Sequence, residues 1–158
     1  VSYLVFKDQK SFMGYFGQKP GPDTAALYEK LVGEEYIELA EALIKMKAEP
    51  DSAEAIGEVA KEALDCVYVL SGLLHALNLD PQALWDVVHQ SNIDKIKHPC
   101  VACGATGTVA TAEGDEPCRV CNGQGHVYEV RRREDGKVLK PPGWQKPDLT
   151  PLIEQMRG

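Results

Sequence analysis

Over roughly the first hundred positions, apolar residues recur at the three- and four-residue spacing of helices. Residues 2–17 are short, aromatic (Tyr3, Phe6, Phe12, Tyr15, Phe16) and read as a helix, which Lys19-Pro20-Gly21-Pro22 breaks. A second helix is expected from a cap at Asp23 or Thr24 to about Lys47, because Pro50 disfavours helix at the residue before it. On a wheel, Leu27, Leu31, Ala42 and Met46 share one side, with Leu39 and Leu43 adjoining, while Glu29, Glu41 and Lys47 fall elsewhere. A third helix is expected from about Ser52 to Leu77. From Ala63 on it is apolar nearly all round, which predicts a central place. Asn78-Leu79-Asp80-Pro81 ends it, and Asp80 with Pro81 supplies the cap and first turn of a fourth helix to about Ile96. Leu84, Trp85, Val88 and Ile96 form its apolar side.

After His98-Pro99 the periodicity stops, and residues 99–127 are rich in Gly, Cys and small polar residues. His126–Arg133 and Lys137–Lys140 flank Asp135-Gly136, which predicts a short β-hairpin. Pro141-Pro142-Gly143-Trp144 reads as a loop, with Trp144 as a packing residue, and 150–157 as a last helical turn or two. The organisation expected is a helical core over 1–98, an insertion over 99–127, and a hairpin with a C-terminal segment packing on the core over 128–158.

Two patterns carry chemistry. Cys100-x-x-Cys103 and Cys118-x-x-Cys121 have the spacing of a four-thiolate structural Zn²⁺ site. Their trailing glycines allow tight turns that bring backbone amides to the sulfurs. A segment this poor in apolar residues has little besides a metal to fold it. The knuckles resemble the CxxCxGxG elements of DnaJ-type zinc domains; the second matches fully, and in the first Gly104 is shifted. His98 and His126 flank the module; they could substitute as ligands, but histidines so placed are more often merely exposed. A zinc deaminase does not fit, since no His-x-Glu occurs and four cysteines leave no open position on the metal. Cys66 stands alone in the apolar helix and reads as core packing.

The second pattern is acidic: Glu34-Glu35-x-x-Glu38 on one helix and Glu62-x-x-Asp65 on the next. Three- and four-residue spacings place side chains on one helix face. These acids fall in or beside apolar stripes, where a carboxylate is costly unless paired or metal-bound. Such a gathering suits a hard divalent cation, Mg²⁺ or Mn²⁺.

Together these acids resemble the EExxE…ExxD signature of the all-α nucleoside triphosphate pyrophosphohydrolases of the MazG-like superfamily. Ser91-Asn92-Ile93-Asp94-Lys95 is similar to the Asn…Lys element after that group's third helix, and 135–144 to the C-terminal stretch of its short phage and bacterial members. The resemblance spans about 10–98 and 135–149, with the zinc module looking like an insertion. It implies an all-α antiparallel bundle that hydrolyses an NTP or dNTP to the monophosphate and pyrophosphate. It also implies Glu35, Glu38, Glu62 and Asp65 as Mg²⁺ ligands, and Glu34 as a further ligand or the residue that orients the water. Glu58 would support them from one turn away. Asn92 and Lys95 become nucleotide contacts, with Lys140 a weaker one. Members of the group pair helices between subunits, which implies a homodimer or homotetramer.

Composition narrows the alternatives. The 158 residues, 44% hydrophobic and 26% charged, are ordinary for a globular chain. A net charge of −7 argues against a nucleic-acid partner held through phosphates. No apolar run approaches a membrane span. The stretch VSYLVFKDQK is too polar for a signal peptide, and four cysteines placed in a metal site suit a reducing cytoplasm. A reading of another class remains: a catalytically silent helical scaffold carrying a zinc knuckle that binds protein or nucleic acid. Arg131-Arg132-Arg133 beside the knuckle favours it.

Overall fold

The structure, a computed structural model, describes residues 4–157. Ser2 and Tyr3, placed by the sequence pattern in the first helix, lie outside them. The element order is α1 (Leu4–Tyr15), α2 (Pro22–Ala48), α3 (Ala53–Ala76), α4 (Pro81–Asp94), β1 (Lys97–Pro99), β2 (Thr108–Thr111), β3 (Gly114–Pro117), β4 (His126–Tyr128) and α5 (Thr150–Arg157). The fold is all-α, with a small insertion and short two-stranded pairings.

Two compact units emerge. The first runs through Trp85 and takes up the stretch from Leu149; the second is Asp86–Asp148. In the first unit α3 packs on α2 and on α1. Met13, Tyr28, Val69 and Ala76 form its buried centre, with Ala25, Leu31, Val32 and Leu73 against them. Tyr28, outside the predicted stripe, is the most deeply buried apolar side chain of α2, at 2% exposure. Its hydroxyl accepts from Gln9 Nε2 at 2.9 Å and donates to Gln18 Oε1 at 3.0 Å, so the buried phenol is satisfied at both ends. Leu27 is more exposed than the wheel suggests, at 40%.

Helix termini follow local chemistry with one correction. Asp23 and Thr24 do not cap α2; the cap residue is Gly21, which makes no side-chain capping bond. Pro22 fixes a helical φ at the first position, so the helix starts ahead of both. Thr24 instead donates to the Lys19 carbonyl at 2.6 Å. Ser52 caps α3 by accepting from Ala55 N–H at 3.2 Å. Asp80 Oδ1 accepts from Gln82 N–H at 2.9 Å and so starts α4.

In the second unit the predicted hairpin is shorter than its sequence signal. The Asp135-Gly136 turn forms, with Gly136 at φ 81°, but pairing across it is a single bridge, Arg132 to Val138. His126–Tyr128 pairs antiparallel with Lys97–Pro99 instead, which closes the cysteine segment at its base. Inside that segment β2 and β3 form their own hairpin.

Candidate functional site: an acid cluster and a four-cysteine knuckle

The acid cluster lies where α2 and α3 cross. The short link between them and their long mutual contact run them antiparallel. Tyr28 meets Gly72 near one end. Seven residues on along α2 is Glu35, and seven back along α3 is Asp65. Two helical turns keep the facing side, so the pairing that seats Tyr28 also brings these acids together. Oxygens of Glu35, Glu62 and Asp65 lie within 4.8 Å of one another, and all three residues are half-buried. Burial raises the Glu35 carboxyl above its usual value, and the charges of Asp65 and Glu38 push it further the same way.

Glu34 and Glu38 are exposed and stand outside that trio. The expectation that all the acids line the apolar stripe is corrected for these two. Glu34 precedes Glu35 and so turns about 100° away from it. Glu38 lies one turn on, close enough to raise Glu35 electrostatically. Glu58 is drawn off by Lys45, whose Nζ is 2.7 Å from Glu58 Oε1.

The trio has a cation that sequence reading overlooked. Lys61 Nζ sits 3.0 Å from Glu62 Oε1 and 3.0 Å from Asp65 Oδ2. The signal was there, since Lys61 and Asp65 are an i,i+4 pair. The neighbouring acids hold the Lys61 ammonium well above the usual lysine range. Cys66 is not plain core packing. Its half-buried thiol borders the acids, and burial first, then Glu35, Glu62 and Asp65, push it up.

The four knuckle cysteines converge. Cys100 Sγ and Cys118 Sγ are 3.9 Å apart, and Cys103 Sγ and Cys121 Sγ 3.8 Å. A tetrahedral zinc with bonds of about 2.3 Å requires sulfurs roughly 3.8 Å apart. The two knuckles repeat one another: Gly107 N–H points at Cys103 Sγ and Gly125 N–H at Cys121 Sγ, each at 3.3 Å. Burial raises the Cys103 thiol, but the Gly107 amide and the neighbouring sulfurs outweigh it and bring it down to about 7. Among the described residues neither His98 nor His126 joins this group. The donor set fits zinc.

Lys95 and Lys140, named from separate stretches, meet at Trp144. Lys95 Nζ donates to Asn92 Oδ1 at 2.5 Å. Lys95 and Lys140 place their ammoniums 5.5 Å and 3.9 Å from the indole centre. The indole N–H donates to the Ser91 carbonyl at 3.0 Å. The Trp144 ring thus carries two cations. Asn92, Lys95, Lys140 and Trp144 belong to the second unit, and the acids to the first.

No helix among the described residues is long and apolar enough to cross a membrane. The family model described as phosphoribosyl-ATP pyrophosphohydrolase matches residues 14–92, a stretch that holds all five signature acids and Asn92. Among curated proteins, none matches the chain.

Proposed function

Because the chain belongs to the phosphoribosyl-ATP pyrophosphohydrolase family, within the MazG-like all-α superfamily, we propose that it hydrolyses a nucleoside triphosphate to the monophosphate and pyrophosphate in a Mg²⁺-dependent reaction. The observation that carries this reading is the convergence of Glu35, Glu62 and Asp65 from two helices. A triphosphate is polyanionic, so a carboxylate site takes it only with cations between them. When bound there, Mg²⁺ or Mn²⁺ neutralises phosphate charge and acidifies water.

The residues then divide the work. Glu35, Glu62 and Asp65 hold the metal, and Glu38, one turn from Glu35, completes the ligand set by side-chain rotation. Glu34, free of the trio, orients the attacking water. Asn92 and Lys95 contact the nucleotide, the lysine through a phosphate, and Lys140 is a weaker contact of the same kind. The four cysteines hold a structural Zn²⁺ that fixes the second unit. Normal or damaged (d)NTPs are the proposed substrates. Phosphoribosyl-ATP, the compound in the family's name, is itself a nucleoside triphosphate and belongs in the same panel.

We also propose a homodimer or homotetramer in the cytoplasm. Its support is large apolar side chains left exposed on both long helices: Ile37 at 58% and Ile44 at 68% on α2, Leu64 at 68% and Val67 at 45% on α3. The alternative, a silent scaffold with a knuckle that binds protein or nucleic acid, has less support. Arg131 pairs with Glu129 at 2.7 Å and Arg133 pairs with Asp135, so two of the three arginines already have acidic partners.

The test is pyrophosphate release from dNTPs, NTPs and phosphoribosyl-ATP with and without EDTA. Metal-dependent pyrophosphate plus monophosphate supports the reading. Orthophosphate release, or turnover undiminished in EDTA, sinks it.

A further inference from the structure

The cation on the acid cluster comes from the chain itself. Lys61 Nζ contacts both carboxylate oxygens of Glu62 at 3.0 Å, and Asp65 Oδ2 at 3.0 Å. The Glu62 side chain is 13% exposed, whereas Lys61 is 63% exposed and approaches from the solvent side. An ordinary surface pair joins one cation to one acid. Here a single ammonium spans two members of a three-carboxylate group, one of them nearly buried.

Lys45 provides the contrast. Its Nζ is 2.7 Å from Glu58 and 3.9 Å from Glu54, and neither acid belongs to the trio. Both lysines sit on the same helix pair, so removing either changes the net charge equally. Only one of them occupies the oxygens that gather.

We propose that Lys61 is the resident counter-ion of the acid cluster: it holds Glu62 and Asp65 together before a divalent cation arrives, and must give up their oxygens when one binds. This rests on the metal-dependent reading of the cluster given above. The same lone pairs cannot serve an ammonium and a divalent ion at once, and two cations at that distance repel. Lys61 therefore weakens metal binding while keeping the acids assembled. Its stem is flexible and its tip exposed, so the ammonium can leave without disturbing α3. Once released, it stays tethered one residue before Glu62, beside any anion the site takes up.

The experiment is calorimetric titration of Mn²⁺ into the zinc-saturated protein without nucleotide, with circular dichroism to verify folding. Lys61→Met should bind Mn²⁺ roughly three- to tenfold more tightly than the parent, the range set by two ion pairs made by a solvent-exposed lysine. Lys61→Arg keeps the cation and should stay near the parent value, as should Lys45→Met. If Lys61→Met binds no more tightly, or if Lys45→Met gains as much, the proposal is overturned. Should Lys61→Met fail to fold, Lys61→Gln makes the same comparison. Glu62→Gln should lose Mn²⁺ binding. If Glu62→Gln still binds Mn²⁺ like the parent, the acid cluster is not the metal site, and that failure is separate from the one on Lys61.

Discussion

The ring of Tyr28 on α2 occupies the space that a β-carbon on Gly72 of α3 would need. Gly72 has an ordinary helical conformation and is buried, so what selects glycine there is the close approach and not the backbone. Gly72→Ala should gain about 1 kcal/mol of helix propensity and lose more, since overpacking costs typically 1–3 kcal/mol and here the obstacle is a rigid ring. Urea unfolding should show a net loss. Turnover should fall as well, because the same contact sets the register of Glu35 and Asp65. A variant as stable and active as the parent would show that the notch does not fix the register.

Glu62→Gln and Asp65→Asn should each abolish pyrophosphate release with the fold intact. Removing one charge from a crowded group relieves repulsion, but each acid also loses its pairing with Lys61. The metal-free melting temperature should therefore move by only a few degrees. A collapse of helical content by circular dichroism would make these carboxylates structural.

Stability of the metal-free protein should depend on Glu35 in a defined direction. Its carboxyl is raised above the ordinary 4.5 by burial, then by Asp65 and Glu38. The folded state therefore keeps this proton at a pH where the unfolded chain has released it. Stability is full below 4.5 and is lost as pH rises through the higher folded value. Calorimetric scans in EDTA should show the melting temperature falling over that interval, and Glu35→Gln should remove the fall. Saturating Mg²⁺ at neutral pH should restore the loss. An unchanged profile in the glutamine variant would count against burial as the cause.

Cys103→Ser should release one zinc per chain, measured by metal analysis, and loosen residues 98–128. Helical content should persist, because α1, α2 and α3 share a core in which no knuckle residue takes part. Loss of the helices along with the zinc would make the knuckle part of the core fold.

Lys140→Ala should raise KM roughly three- to tenfold and leave kcat near the parent value, the scale of an exposed charge contact. A drop in kcat with KM unchanged would place Lys140 in the chemical step.

Much of this protein was legible in its sequence because the relevant physics is local. Helical periodicity, the break at Lys19-Pro20-Gly21-Pro22 and the capping side chain of Asp80 set the helices within a few residues. CxxC spacing marked the four thiols, and the ExxE and ExxD spacings marked the acids. What tertiary structure decided is which of these meet. One helix wheel treats Glu34, Glu35 and Glu38 as neighbours, yet only Glu35 faces α3, because the Tyr28–Gly72 contact fixes how the two helices are rotated against each other. The reach of Lys61 onto Glu62 and Asp65 depends on that same arrangement of acids. The pairing of His126–Tyr128 with Lys97–Pro99, in place of a longer hairpin, joins the two ends of the cysteine segment, a long-range contact that no local spacing marks. Spacing along a chain fixes which side chains share a face; packing between elements fixes what that face meets.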